Sequence, residues 1–396
     1  MAQANLPSTE LISHACSLLA ESPALGVADL VVKLRRSFPE IALPLVALAA
    51  ETAVARVAAR EKLGSWSEHG VFSTAVLEQA SRTIIANYRA KHFQGLGHIL
   101  EIGTGTGSDT TALARVAGYV TTIESDPTRC EVAKHNLSVQ GVTNVTCLCG
   151  HAEAVVSKLD LSQVDALFAD PARRNRDGAR IRRGEDYAPS LRWLVELEVG
   201  GLRAIKVGPG LFFEPPLPGW VRQFIGVGAE CLEQTLWFGS CIKDSSVYLA
   251  DCETGWSPSG ALQPGIATTL EGFIVEAHGT VNRCQHLHQF YAERDIQLIA
   301  SGVAYGITTT LPAPTPLLSA FQILESFPYN LKKLKNSLQR LGWTNRTEIK
   351  KRNFPGDPEE IRATLHLPPH AHNASFGTIF LFKWDSKTWV VLAQRQ

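Results

Sequence analysis

Residues 98–126, HILEIGTGTGSDTTALARVAGYVTTIESD, hold the first group of side chains able to do chemistry. Gly103, Thr104, Gly105 and Gly107 follow a short apolar strand, His98–Ile102, and precede a helix that starts near Ser108. Glycines in such a turn allow positive φ and a close approach of backbone to ligand. A helix start there aims free N–H groups and the positive end of the dipole at that ligand. Glu124 ends the next strand, where a carboxylate accepts hydrogen bonds from a ribose diol. The unit reads as the nucleoside-binding half of a doubly wound sheet. A second group is Asp170-Pro171, delivered by the apolar strand Val164–Ala169. A third is the loop beyond it, with Arg173, Arg174, Arg176, Arg180, Arg182 and Arg183 and no lysine. Arginine forks bind phosphate and carboxylate bidentately, which favours an anionic substrate over a merely solvated loop.

The glycine spacing is G-x-G-x-G, not the dinucleotide pattern G-x-G-x-x-G, because Ser108 stands in the last slot. With Glu101 two residues before the first glycine, the stretch resembles motif I of class I S-adenosylmethionine (SAM) methyltransferases. The resemblance implies that Glu101 faces the ammonium of the methionine moiety and Glu124 the ribose. It also implies that Gly103, Thr104, Gly105, Gly107 and Asp170 line the cofactor. Methyltransferases of this kind carry an acid at the position of His151, so the backbone of Ala152 is expected to serve adenine instead. Asp170-Pro171 resembles the N/D-P-P-Y/F motif of N-methyltransferases acting on nucleic acids. By that likeness the Asp170 carboxylate and the Pro171 carbonyl accept hydrogen bonds from a target –NH2 and align its lone pair with the SAM methyl. Ala172 and Arg173 stand where the second proline and the aromatic belong, so stacking of a base falls to another side chain. Tyr187, Phe212 and Trp66 are the candidates.

The elements that must position these groups fit a chain of 396 residues, long enough for two or three domains. A hydrophobic fraction of 45% and a charged fraction of 19% are those of a soluble globular protein. Because 38 basic residues balance 38 acidic ones, any affinity for nucleic acid must come from local patches. The eight cysteines include no C-x-x-C pair, which points to buried thiols in a reducing compartment. No apolar run is long enough to span a bilayer and no export signal stands at the N-terminus, so a cytoplasmic location is expected. Cys284, His286 and His288 alternate as strand neighbours do, but without a second cluster no metal is expected.

Along the chain, residues 1–75 read as an N-terminal helical region, with Pro23, Pro39 and Pro44 marking breaks and Ile41–Ala59 unusually apolar. Residues 76–250 form the core. A helix from about Thr74 is expected to place Val76, Leu77, Ala80, Ile84 and Ile85 on one side, with Glu78 and Gln79 near the site. The last core strands are Glu233–Phe238 and Ser246–Ala250. Residues 251–315 form a connecting α/β segment, and residues 316–396 a small C-terminal α+β domain. A second basic cluster lies in that domain: Lys332, Lys333, Lys335, Arg340, Arg346, Lys350, Lys351 and Arg352.

DPARR with its arginine-rich continuation, GEDYAPSL, KVGPG and EIKKRNFPGDPEEIRATLHL together resemble bacterial class I methyltransferases with a C-terminal THUMP-like domain. That resemblance implies a Rossmann-like sheet, SAM as cofactor and RNA as partner. Asp170 and Pro171 are the expected catalytic residues, and Arg173, Arg174, Arg180, Arg182 and Tyr187 the expected substrate contacts. Three readings compete: N-methylation of a base in RNA, methylation of an anionic small molecule or protein, and RNA binding by a non-catalytic SAM-type fold. Oligomeric state is left open.

Overall fold

The computed structural model describes residues 6–173, 183–211, 218–227, 230–239, 245–250, 253–254, 256, 262–370 and 375–396. It divides into two compact units, the first holding residues up to 223 and 233–239, the second residues 224–227, 230–232, 245–250 and those from 254 onward.

The first unit opens with three helices, α1 (Thr9–Glu21), α2 (Val27–Ser37) and α3 (Leu43–Leu63). Pro44 lies in the first turn of α3, where its missing N–H costs nothing, so it starts that helix instead of breaking it. Leu11, Leu30, Leu34, Val46 and Ala50 bury one apolar cluster that also takes in Val71 and Val132. The helices therefore pack directly on the core. The buried Asn136 side chain reinforces the join: it accepts from Val71 N at 2.8 Å and donates to Val71 O and Thr106 O.

The single helix expected from Thr74 is two, α4 (Thr74–Gln79) and α5 (Thr83–Ala90). Ala80 leaves helical geometry (ψ 144°) and Ser81 turns inward, buried, while Glu78 and Gln79 face solvent. The α/β core follows: β1 (His98–Ile102), α6 (Ser108–Ala114), β2 (Tyr119–Glu124), α7 (Pro127–Val139), β3 (Val145–Cys149), α8 (Ala152–Val156), β4 (Ala166–Ala169), α9 (Leu191–Glu196), β5 (Leu202–Val207), β6 (Trp220–Val227) and β7 (Glu230–Phe238). Strand order is β3-β2-β1-β4-β5-β7, with β6 next to β7. Pairing is parallel as far as β5 and antiparallel between β5 and β7. Apolar side chains alternate onto the two faces: Leu100, Ile102, Leu167, Ile205 and Leu236 on one, Ile99, Phe168, Ala204 and Trp237 on the other. Central parallel strands bury both faces, which explains their continuous apolar runs. Strand β6 had no counterpart in the sequence reading.

In the second unit a seven-stranded sheet runs in the order 297–300, 303–308, 273–277, 318–328, 387–395, 378–384 and 348–352. Strand Phe273–Ala277 pairs antiparallel with Leu318–Pro328, so the segment 251–315 supplies strands to the same sheet as 316–396 and is more than a connector. Leu331–Arg340 and Pro358–Leu365 are the helices of the C-terminal part. The second starts on a capping box, with Asp357 accepting from Glu359 N and Glu360 reaching back to Asp357 N.

Candidate active site

The turn between β1 and α6 has left-handed backbone at Gly103 (φ 94°), Gly105 (55°) and Gly107 (83°). A Cβ on Gly105 would meet nothing within 4 Å, so this turn opens onto free space. Glu124 reaches back from the end of β2: its Oε2 accepts Gly105 N at 3.0 Å and its Oε1 accepts Asp126 N at 3.1 Å. The Thr104 and Thr122 hydroxyls lie 2.6 Å apart beneath the turn. Glu101 is completely buried; its Oε2 accepts the Thr110 hydroxyl at 2.5 Å, and its buried Oε1 has no partner. Burial pushes this carboxyl up to about 8, against the pull of the Thr110 hydroxyl and with help from nearby Asp109 and Asp170. An unpartnered buried carboxylate oxygen beside an open glycine turn fits SAM. Glu101 would take the cofactor's ammonium, Glu124 the ribose and Gly105 the close approach of the ligand. At the end of β3, Ala152 is buried at the start of α8, and the exposed His151 stands at the N-cap position without a side-chain hydrogen bond to the helix. SAM, when bound, supplies an electrophilic methyl group.

Asp170 follows β4. Ile205 pairs with Ala169, so Asp170 comes level with Lys206, and Lys206 in turn pairs with Thr235 of β7. Glu233 lies two residues before Thr235 and therefore on the same sheet face. This register assembles a buried charge network. Lys206 Nζ donates to Asp170 Oδ2 at 2.7 Å and to Ser81 Oγ at 2.8 Å, and lies 3.8 Å from Glu233 Oε2. Arg89 of α5 pairs with both Glu233 and Asp109, and Ser81 Oγ donates to Asp109 Oδ2 at 2.6 Å. Burial alone would push Asp109 up, but the Arg89 guanidinium and Lys206 ammonium hold it below the usual carboxylate range. Arg89 is raised despite its burial, because Asp109 and Glu233 face it. Asp170 is the member of the network nearest solvent, with 19% of its side chain exposed against 5% for Lys206.

The other expected residues fall in different places. Pro171 is buried, and Ala172 N donates to Ala188 O at 2.9 Å. Arg173 is half-buried, with its guanidinium 3.8 Å from Asp170 Oδ1. Tyr187 is 5% exposed and packed with Leu191, Val207 and Leu211; its hydroxyl accepts Gly208 N at 3.5 Å, so its ring is core and offers no face to a base. Trp66 packs against Phe72. Phe212, Arg174, Arg176, Arg180 and Arg182 lie outside the described residues. Cys284 and His286 sit at helix ends instead of alternating along a strand, and His288 meets Gln263. Among the described residues no group of three or more His, Cys, Asp or Glu side chains could hold a metal, and no helix is long and apolar enough to cross a membrane. Ser81, Arg89, Lys206 and Glu233 escaped the sequence reading. The signal was present in Lys206, a charge within the buried run Ala204–Val207 of β5, and in Arg89, one turn after Ile85 on the buried side of α5.

Comparison with known proteins agrees with this geometry. A methyltransferase-domain family model matches residues 99–173, and a THUMP domain-like model matches residues 318–395. An uncharacterized S-adenosylmethionine-dependent methyltransferase of Mycobacterium tuberculosis is 27% identical over 340 residues, 80% of this chain and 88% of that protein. The protein-L-isoaspartate O-methyltransferase of Thermotoga maritima is 31% identical over 106 residues, 26% of this chain and 29% of the other. The crystal structure of a candidate methyltransferase from Porphyromonas gingivalis W83 superposes with a TM-score of 0.75 at 16% identity, over 98% of this chain and 99% of that one. With a SAM-type glycine turn, two buried acids around it and these matches, the chain carries a SAM-dependent methyltransferase domain of class I fold and a THUMP-like domain toward its C-terminus.

Proposed function

We propose that this enzyme methylates RNA, transferring the SAM methyl group to a base nitrogen presented to Asp170. The observation that carries the reading is the placement of the Asp170 carboxylate. It ends the strand next to the cofactor turn, with one oxygen held by Lys206 and the other turned toward Arg173. A carboxylate so fixed accepts hydrogen bonds from an exocyclic amine and directs its lone pair at the methyl group, a gain from orientation. Support for RNA comes from the THUMP-like match and from the exposed lysines on the helix Leu331–Arg340. Such an enzyme would work in the cytoplasm, where its substrate is.

The test is direct. Purified enzyme is incubated with methyl-labelled SAM and total RNA from cells lacking the gene, and the modified nucleoside is identified by mass spectrometry. Label recovered in a methylated base supports the reading. Label recovered only in protein or in small anionic molecules would replace RNA with one of those substrates.

A further inference from the structure

We infer that Lys206 is a positioning residue for methyl transfer: its ammonium locks Asp170 Oδ2, so that Oδ1, the oxygen on the Arg173 side, is the one left to meet the acceptor. The inference rests on the proposed role of Asp170 as the group that receives the acceptor.

Lys206 faces Asp170 at 2.7 Å, Ser81 at 2.8 Å and Glu233 at 3.8 Å, so its charge is surrounded by two carboxylates and a hydroxyl. Ser81 is not free to move away. Its hydroxyl donates to Asp109, it accepts from Arg89 at 3.1 Å, and its carbonyl accepts the Ser108 hydroxyl at 3.1 Å. The clamp is therefore built from three separate parts of the first unit, the Ser81 turn, β5 and β7, and converges on the one network carboxylate with substantial exposure. Burying an ammonium is expensive, and an apolar side chain at the same strand position would serve stability as well or better. A lysine here is explained by what it does to Asp170. It removes one of the two carboxylate oxygens from competition and fixes the plane of the other. Orientation of this kind is where a displacement of about 1 Å costs about a hundredfold in rate.

Two measurements test this. In single-turnover assays with total RNA and saturating SAM, Lys206→Met should lower the rate by about a hundredfold while SAM affinity stays within a few-fold. In an Asp170→Asn background the same substitution should add little, because the group it positions is already lost. Ser81→Ala, which keeps the charge but removes one support of the ammonium, should give a smaller loss in the same direction and covers the case in which Lys206→Met does not fold. The second measurement needs no acceptor. In carbon-13 spectra of enzyme labelled at aspartate carboxyls, the resonance that vanishes in Asp170→Asn should move in Lys206→Met, in Lys206→Gln and less far in Ser81→Ala. It should stay in place in Arg203→Met, on the same strand. Wild-type enzyme that labels no RNA would overturn the RNA reading and leave the spectrum to decide on Lys206. An unmoved Asp170 resonance, or single turnover at the wild-type rate in Lys206→Met, would overturn the inference itself.

Discussion

The backbone carbonyl of Asp170 lies 2.3 Å from the point where a Cβ on Gly103 would stand. The glycine turn and the Asp170-Pro171 segment are thus in contact through main chain, and only glycine fits between them. At Gly103, with φ 94°, alanine would meet both a strained backbone and an immovable carbonyl. Gly103→Ala should cost about 2–4 kcal/mol in urea unfolding and weaken SAM binding as well. Gly105 shares the left-handed backbone (φ 55°) but not the clash, since nothing lies within 4 Å of its Cβ position. Gly105→Asp should keep a native circular dichroism spectrum and lose only about 1–2 kcal/mol in unfolding, yet abolish SAM binding in calorimetry. Unchanged SAM affinity in Gly105→Asp would remove this turn from the cofactor site.

Glu101 gives a pH signature. Burial raises its carboxyl from the ordinary range to about 8. Between the unfolded value of 4.5 and about 8 the native state then holds a proton that the unfolded chain releases. Its stability contribution is fully present below 4.5 and is lost as pH rises toward 8, so Glu101→Gln should flatten the decline of stability over that window. SAM binding adds a second effect. An ammonium at the unpartnered Oε1 favours the ionised form, so binding at pH 7 should release about one proton. Calorimetry in two buffers of different ionisation enthalpy measures that number. Wild type should show the release and Glu101→Gln none; equal values would place the cofactor ammonium elsewhere.

The contrast between Glu124 and Lys206 shows which parts of this site could be read from sequence. Glu124, the glycine turn and the caps at Asp126 and Asp357 all announce themselves within a few residues, through spacing, proline and turn chemistry. The α+β character of residues 316–396 was legible for the same reason. Arg89 meets Glu233 across 144 positions and Lys206 meets Ser81 across 125, so even where a charge in a buried run hints at burial, nothing local names its partner. Only sheet register brings them together. Register also decided Tyr187, whose position after the Asp-Pro motif suggested a stacking ring but whose side chain fills the core beside Val207. The break between α4 and α5 follows from the same network, which pulls Ser81 inward where helical periodicity alone would have run on.

The Arg89 network should be stability-critical in a way that depends on charge balance. Arg89 is 1% exposed and holds two carboxylates, Asp109 and Glu233. Arg89→Met removes the cation and leaves both acids buried, which should cost about 3–5 kcal/mol in urea unfolding. Adding Glu233→Gln to Arg89→Met should recover part of that loss, because one of the two buried carboxylates that faced the guanidinium loses its charge. A double variant as unstable as the sum of the two singles would mean that the residues do not act as one unit.

The last prediction concerns the partner. Much of the basic cluster expected to face RNA is internally paired: Arg340 with Glu325, Lys350 with Glu276 at 2.8 Å and Glu348 at 2.9 Å, Arg352 with Glu276 at 3.3 Å. Lys351 donates to the carbonyls of Phe354 and Gly356. Lys332, Lys333 and Lys335, on one short helix, and the exposed Arg346 form no ion pair among the described residues, although Lys333 lies over the Phe327 ring at 4.4 Å. Removing residues 316–396 is therefore a poor test, since it strips Leu318–Pro328 from the edge of Phe273–Ala277 and breaks the sheet. Charge neutralisation leaves the fold intact. Each phosphate contact on single-stranded RNA contributes about 0.7 to the slope of log affinity against log salt. Changing Lys332, Lys333 and Lys335 to Gln together should make that slope shallower by about 2 and leave SAM affinity unchanged. A slope equal to that of wild type would exclude this helix from the RNA interface and leave the arginines that follow Asp170 in the sequence to account for binding. Loss of SAM affinity in the same variant would instead mean that the substitutions had disturbed the fold.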